Sequence, residues 1–455
     1  MNVEVTINAG ITLTGGFSTV TLWIPEVAAS AVLDVSFDQL YDMFGMSEPI
    51  TLDLVLIASI VYVLDKSVPR RRADDFWTRD FHVVVPVAET TIWEHAKEAL
   101  ETCLTFLTGD EWHFSFTPRA EALYTPRHRA RERRRGEPPR AVSLFSGGLD
   151  SLVGVIDQLA RQHDRLLLIG HHDATGPAGD QRRVHQLLDQ REGYVQRTDR
   201  LSVRVRPLPS DLARPGQQIV SLGREHTLRS RSFIFLALGL FVARALGEHV
   251  PLLVPENGFI AINIPLTPSR GGTCSTRTTH PFFLESFRAL ASLVGIQNPV
   301  VNPFELSTKG EVLASCADQA ALARLTPETV SCAHPSRRAI WRRRDVRNCG
   351  YCVPCIIRRA SLHHIGLDHG EVYGIDIGQG ELDLESNVAA DVRAVLDCIA
   401  RIPERETVDD LVVASGPLPF DTRQAHVETV RRGLEELRAF VERVAPPQVA
   451  GLSGD

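Results

Sequence analysis

The sequence predicts an α/β fold: a doubly wound, mostly parallel sheet with a four-cysteine zinc subdomain, an N-terminal α+β unit and a C-terminal helical extension. Three observations predict it. Between residues 141 and 365, short apolar or alternating runs (AVSLFS, RLLLIGHH, LSVRVRPLP, VPLLVPEN) take turns with longer helical patterns such as SLVGVIDQLARQ and RSFIFLALGLFVARALG. That alternation is the pattern of parallel strands joined by crossover helices. Gly147 and Gly148 fall where an apolar run gives way to a helical one, at a strand's carboxyl end, where open α/β sheets bind ligands. Finally, Cys332, Cys349, Cys352 and Cys355 are spaced C-x16-C-x2-C-x2-C, and two-residue gaps let thiolates reach one tetrahedral ion.

Residues 1–117 form a first unit. VEVTINA and FSTVTLWIP alternate as strands do, TTIWEHAKEALETCLTFL has helical spacing, and EWHFSFTP closes the unit as a strand. The unit shows no catalytic constellation and reads as an accessory or docking domain. Its most apolar stretch, Leu54–Leu64, is bounded by Asp53 and Asp65; it is too short to span a bilayer and reads as a buried helix or strand. Residues 118–140 carry arginines and prolines with few apolar residues, which is linker composition. Residues 366–455 read as a helical extension, with apolar residues at helical spacing in QAHVETVRRGLEELRAFVERV.

Composition narrows the partners. The net charge of −7 argues against electrostatic binding of nucleic acid by the chain as a whole. No basic segment followed by an apolar run opens the sequence, so a cytoplasmic protein without a membrane segment is expected. In that reducing setting clustered cysteines point to metal before disulfide. Four thiolates suit structural Zn²⁺, ahead of an iron–sulfur cluster. The basic residues are almost all arginine; the three lysines are Lys66, Lys97 and Lys309.

The chemistry concentrates at Ser146-Gly147-Gly148-Leu149-Asp150-Ser151. Glycines let the backbone approach an anion. The following helix offers unpaired N–H groups and a partial positive charge. Ser146 and Ser151 add hydroxyl donors, and Asp150 makes sense beside a phosphate if it holds Mg²⁺. No Gly-Lys-Ser/Thr follows, so this is not a Walker A loop. In the segment Val254–Phe287, Glu256, Asn257 and Asn263 offer donors and acceptors for a purine edge. Arg270, Arg277 and His280 would face a carboxylate or phosphate. The alternative is a long ordered loop packed on another domain.

The SGGLDS stretch resembles the PP-loop of N-type ATP pyrophosphatases, of the adenine nucleotide alpha hydrolase-like fold. Combined with Cys349-Gly350-Tyr351-Cys352-Val353-Pro354-Cys355 and Arg358, it resembles the 7-cyano-7-deazaguanine synthase (QueC) family over residues 141–365. The resemblance implies that ATP is cleaved to AMP and pyrophosphate to adenylate a carboxyl group. Ser146, Gly147, Gly148, Asp150 and Ser151 would grip the pyrophosphate. Arg231, at the head of an apolar helix, and Lys309 in STKGEV match family positions that meet phosphate; the plainer readings are a surface arginine and a helix-capping lysine. The stretch FLTGDEWHFSF (Phe106–Phe116) and Val254–Phe287 resemble instead QueC-like proteins of anti-phage defence operons, such as the Qat system. That implies transfer of a deazaguanine to an amine or to a protein partner of the same operon. A free synthase, a tRNA-modifying PP-loop enzyme and a non-catalytic nucleotide-binding scaffold are the competing readings.

Overall fold

The structure is a computed structural model. It describes residues 1–12, 15–27, 29–45, 47–125, 137–162, 164–173, 175–208, 223–225, 227–267, 277–334, 337–401 and 407–444. Arg270, residues 126–136 of the arginine-rich linker and the last eleven residues lie outside the described residues.

The strands are β1 (Asn2–Thr12), β2 (Gly15–Ile24), β3 (Ala29–Val35), β4 (Asp80–Val87), β5 (Glu111–Pro118), β6 (Tyr124–Thr125), β7 (Ala141–Leu144), β8 (Leu166–His172), β9 (Thr198–Pro207), β10 (Leu252–Leu253) and β11 (Val300–Val301). The helices of the first half are α1 (Phe37–Phe44), α2 (Pro49–Ser67), α3 (Thr90–Thr108), α4 (Leu149–Arg161), α5 (Thr175–Asp189) and α6 (Arg231–Leu246). Those of the second half are α7 (Gly258–Ile262), α8 (Pro281–Leu293), α9 (Lys309–Ala314), α10 (Gln319–Leu325), α11 (Val353–His364), α12 (Ala390–Arg401), α13 (Val408–Ser415) and α14 (Arg423–Val444).

Among the described residues, these eleven strands form one sheet, in the order β11-β10-β7-β8-β9-β3-β2-β1-β4-β5, with β6 beside β2. The run from β11 to β9 is parallel throughout. From β7 the chain moves to β8 and β9 on one side and returns to β10 and β11 on the other. The strand order therefore reverses at β7, and the crevice at its carboxyl end is where such sheets seat ligands.

The N-terminal strands extend this sheet. Antiparallel pairing of β3 with β9 joins the two halves through Leu33–Pro207, Asp34–Arg206 and Val35–Val205. One apolar core runs across the seam, from Leu54, Ile57 and Val61 of α2 to Phe233, Leu236 and Leu240 of α6. The Leu54–Leu64 stretch lies within α2, which Pro49 opens and in which residues 53–65 are buried all round. Both acids that bound the stretch are enclosed and paired, Asp53 with Arg119 at 3.0 Å and Asp65 with Arg79 at 2.6 Å. A buried charge is tolerated only with such a partner. Among the described residues, no helix is long and apolar enough to cross a membrane.

Gly154 on α4 sets how closely the strand-end segment after β10 approaches. A Cβ there would stand 2.5 Å from Cβ of Pro255. Gly→Ala inside a helix ordinarily stabilises by about 1 kcal/mol. Here Gly154→Ala is expected to lower the urea midpoint instead, by an overpacking cost of about 1–3 kcal/mol. A raised midpoint would show that Pro255 is not held against α4.

Candidate functional site

Between the end of β7 and the start of α4, the chain makes the turn that the glycine pair predicts. Gly147 adopts φ +80°, a left-handed conformation that side chains disfavour, with Gln181 closely packed above it. Gly148 occupies the N-cap position of α4, and no side chain caps the helix. The Oγ of Ser146 accepts from the Gly148 N–H at 3.2 Å and lies 3.2 Å from Oγ of Ser151. Ser151 in turn donates to the Gly148 carbonyl at 3.0 Å. Two hydroxyls and an uncapped helix N-terminus thus share the mouth of the crevice, an arrangement suited to an anion.

Asp150, one residue into α4, meets three groups from other parts of the chain. Its carboxylate accepts from Nζ of Lys309, with the two side chains 9% and 3% exposed. It also faces Nδ2 of Asn257 at 3.4 Å, and that amide donates to Glu256 at 3.2 Å. Glu256 and Asn257 come from the carboxyl end of β10, the neighbour of β7. Asn302 grips the Glu256 backbone from both sides, and the Asn257 side chain caps α7. Lys309 opens α9, whose Thr308–Glu311 capping box is braced from α14: Glu436 accepts from Thr308 and from the Gly310 N–H, and Arg432 pairs with Glu311. The C-terminal helix therefore helps to place the lysine.

Enclosure by protein atoms, followed by the charge of Asp150, pushes the Glu256 carboxyl well above the usual carboxylate range. Above the ordinary glutamate value the folded chain thus holds a proton that the unfolded chain has lost. The sign follows: with more protons bound in the folded state, stability falls as pH rises through that window. Glu256→Gln mimics the protonated acid and is expected to flatten this decline. Urea melts of both proteins across mildly acidic to neutral pH test it, and parallel pH dependences would contradict it.

A second group lines the neighbouring strand end. Lys66 of α2 pairs with Asp173, just past β8, at 2.5 Å, and Tyr62 donates to the same carboxylate at 2.9 Å. Burial alone would raise the Asp173 carboxyl, but the Lys66 bond, its charge and Tyr62 outweigh it and hold it at about 2. Arg231 stands beside this group, its guanidinium 5.2 Å from the ring centre of Phe235 and in no ion pair among the described residues. Burial, with the Arg231 charge next, pulls the His171 imidazole down to about 3, so this histidine is neutral. Gln181 links the group to the loop, packing over Gly147 and donating to the His171 carbonyl at 3.4 Å. Sequence reasoning assigned no role to Tyr62, Lys66 or Asp173. The signal that could have found Lys66 is its residue type: two of the three lysines in an arginine-rich chain stand at this edge of the sheet.

The sulfur atoms of Cys332, Cys349, Cys352 and Cys355 lie within 4.8 Å of one another, three of the residues buried, and could hold a zinc ion. Gly350, at φ +89°, makes the turn between Cys349 and Cys352, and the Cys352 N–H points at Sγ of Cys349 at 3.3 Å. The cluster is wired to the loop. Arg358 of α11 bonds Thr329 and the Thr326 carbonyl at 2.7 and 2.6 Å, and the Val330 N–H donates to the Gly147 carbonyl at 3.1 Å. Cys332 follows two residues later, so the segment that closes one side of the loop is held by both the arginine and the sulfur cluster.

The remaining expected residues are dispersed. Asn263 ends α7 in a left-handed conformation. Arg277 lies over the ring of Phe106 at 4.3 Å and donates to its carbonyl. His280 caps α8, and burial, with Arg277 and His426 nearby, holds its imidazole at about 3. Arg277 and His280 thus serve the packing of α8 on α3, and no bond among the described residues links them to the Asp150 group. A scan against protein-family models and searches of curated proteins and of solved structures find no match.

Proposed function

We propose that this chain is a QueC-like, AMP-forming enzyme that uses ATP to adenylate a carboxyl group, that of a 7-deazaguanine, for transfer to an amine or a protein partner of an anti-phage defence operon. The observation that carries the reading is the junction of the Ser146–Ser151 loop with the buried Lys309–Asp150 pair at the point where the sheet order reverses. A carboxylate oxygen of the acceptor forms a bond to the α-phosphorus. The bond from that phosphorus to the bridging oxygen breaks, and its electron pair leaves with pyrophosphate. What the chain must supply is stabilisation of the charge on that leaving group. The uncapped N–H groups of α4, the hydroxyls of Ser146 and Ser151, and Lys309 would supply it, and their grouping at one strand end supports this reading. Arg231 is a further cation at the same edge.

Asp150 and Glu256 offer hard oxygen donors, which fit Mg²⁺ better than a softer ion. When bound, Mg²⁺ would neutralise phosphate charge. The raised Glu256 carboxyl favours the protonated form beside Asp150, which lessens the carboxylate charge left for Lys309 to pair until a cation arrives. The four thiolates fill a tetrahedral shell, which suits a structural zinc with no open position.

The test is to mix purified protein with ATP, Mg²⁺ and 7-carboxy-7-deazaguanine, with and without the other proteins of its operon, and to read products by mass spectrometry. AMP together with a partner that has gained the mass of a deazaguanine supports the proposal. AMP with only free amide or nitrile would make the chain a free synthase. No AMP in any mixture would leave nucleotide-dependent scaffolding as the better reading.

A further inference from the structure

Far from the loop, at the opposite end of the sheet order, β4 and β5 run parallel with β5 outermost. Their register sets Asp80 beside Glu111 and His82 beside His113. Strand alternation turns these four residues to one face. The opposite face buries Phe81, Val83, Trp112 and Phe114 in the core. The backbone beneath the polar quartet is therefore fixed by close packing.

On that face three donors converge. Nε2 of His82 lies 3.1 Å from Oδ1 of Asp80, and Nε2 of His113 lies 3.5 Å from the same oxygen. The two imidazoles stack with centroids 4.6 Å apart. All three ligand atoms fall within 4.8 Å of one another. Zinc binds imidazole nitrogen and carboxylate oxygen at about 2.0–2.2 Å, which places neighbouring ligands of a tetrahedral ion about 3.3 Å apart. The two spacings to Asp80 straddle that edge length, and the third lies within 4.8 Å, so rotation of the exposed imidazoles would close the set around an ion. A second observation points the same way. Glu111 stands directly across from Asp80; like charges directly opposite on paired strands repel, and a cation between the strands relieves this.

We propose that Asp80, His82 and His113 form a binding site for a divalent transition-metal ion, of which zinc fits best. Two imidazoles and a carboxylate are borderline donors that favour zinc, nickel or copper over magnesium or calcium. Each residue is about half exposed, with side-chain values of 49%, 51% and 49%. The ion therefore keeps an open coordination position toward solvent, which water or a donor from a ligand fills. This site shares no residue with the cysteine cluster and does not depend on the adenylation reading.

The experiment is a zinc titration by calorimetry of full-length protein whose cysteine site is already zinc-filled, with elemental analysis of the starting material. The expected result is one further zinc per chain. His113→Ala and His82→Ala should each weaken this second binding by more than about 10-fold, since even outer-shell changes at metal sites cost that much. Both changes are on the exposed face and should leave the melting temperature in metal-free buffer unchanged. A second equivalent that survives the double variant, or no second equivalent in the wild type, would overturn the site. Titration with Co²⁺ separates the two centres, because only the cysteine site gives a thiolate charge-transfer band.

Discussion

Lys309→Met is expected to cut AMP formation by about 10²–10³-fold, the usual effect of removing one group that stabilises transition-state charge. The same change should also lower stability, because it strands Asp150 in a buried place. Breaking one side of a buried ion pair costs about 3–5 kcal/mol. Activity loss alone would therefore not separate a catalytic lysine from a structural one. The double variant Asp150→Asn with Lys309→Met makes the distinction. It removes both charges at once, leaves Asn257 a neutral partner at position 150, and should recover most of the lost stability in urea melts. Its AMP formation should stay at the level of the single variant or below. A double variant that regains both stability and activity would show that the pair only holds α4 and α9 together.

Loss of the four-cysteine cluster, if it holds the zinc ion it is suited to, is expected to have the largest effect on folding. Structural zinc contributes on the order of 10 kcal/mol of binding energy that is also folding energy, comparable to the roughly 5–15 kcal/mol that holds a whole domain folded. The cysteines belong to a second apolar core that also includes Trp341, Val395, Leu411, Val430 and Leu437. Cys352→Ser should therefore loosen α11 and the C-terminal helices packed on it while the core across α2 and α6 stays folded. The effect should travel to the loop. With Cys332 released, the Val330–Gly147 hydrogen bond loses one of its two anchors. Hydrogen exchange should rise over residues 326–334, and ATP affinity should fall. Unchanged exchange there in metal-free protein would mean that Arg358 alone holds the segment.

The parallel half of the sheet was legible because its signals are local. Apolar runs of strand length alternate with helical ones, and the Gly147-Gly148 turn sits between the two periods. The cysteine cluster was legible for the same reason, since C-x2-C-x2-C is geometry written into adjacent residues. The joining of β3 to β9 was not legible. It pairs residues about 170 positions apart, and alternation says that a strand exists without saying which neighbour it takes. The site divided along the same line. Asp150 and Lys309 were singled out separately, but their contact depends on where α9 is braced by Glu436, a residue in a helix that read only as an extension. Glu256 and Asn257 were assigned to a purine edge because the segment is dense in polar residues. What the sequence did not reveal is that their position at the carboxyl end of β10 also sets them beside Asp150. Arg277 and His280 came from that same polar density, which does not reveal that Phe106 covers the one and Ser415 the other.

Whether Ser146–Ser151 receives the pyrophosphate end of ATP can be decided by a crystal structure. The protein would be crystallised with Mg²⁺ and an ATP analogue that carries a methylene bridge between its α- and β-phosphates. The β- and γ-phosphates are expected against the loop and the first turn of α4, with Lys309 and Asp150 beside them and the α-phosphate directed outward along the crevice. A nucleotide bound elsewhere, or one whose adenosine rather than its terminal phosphates fills the loop, would contradict the proposed role of the loop.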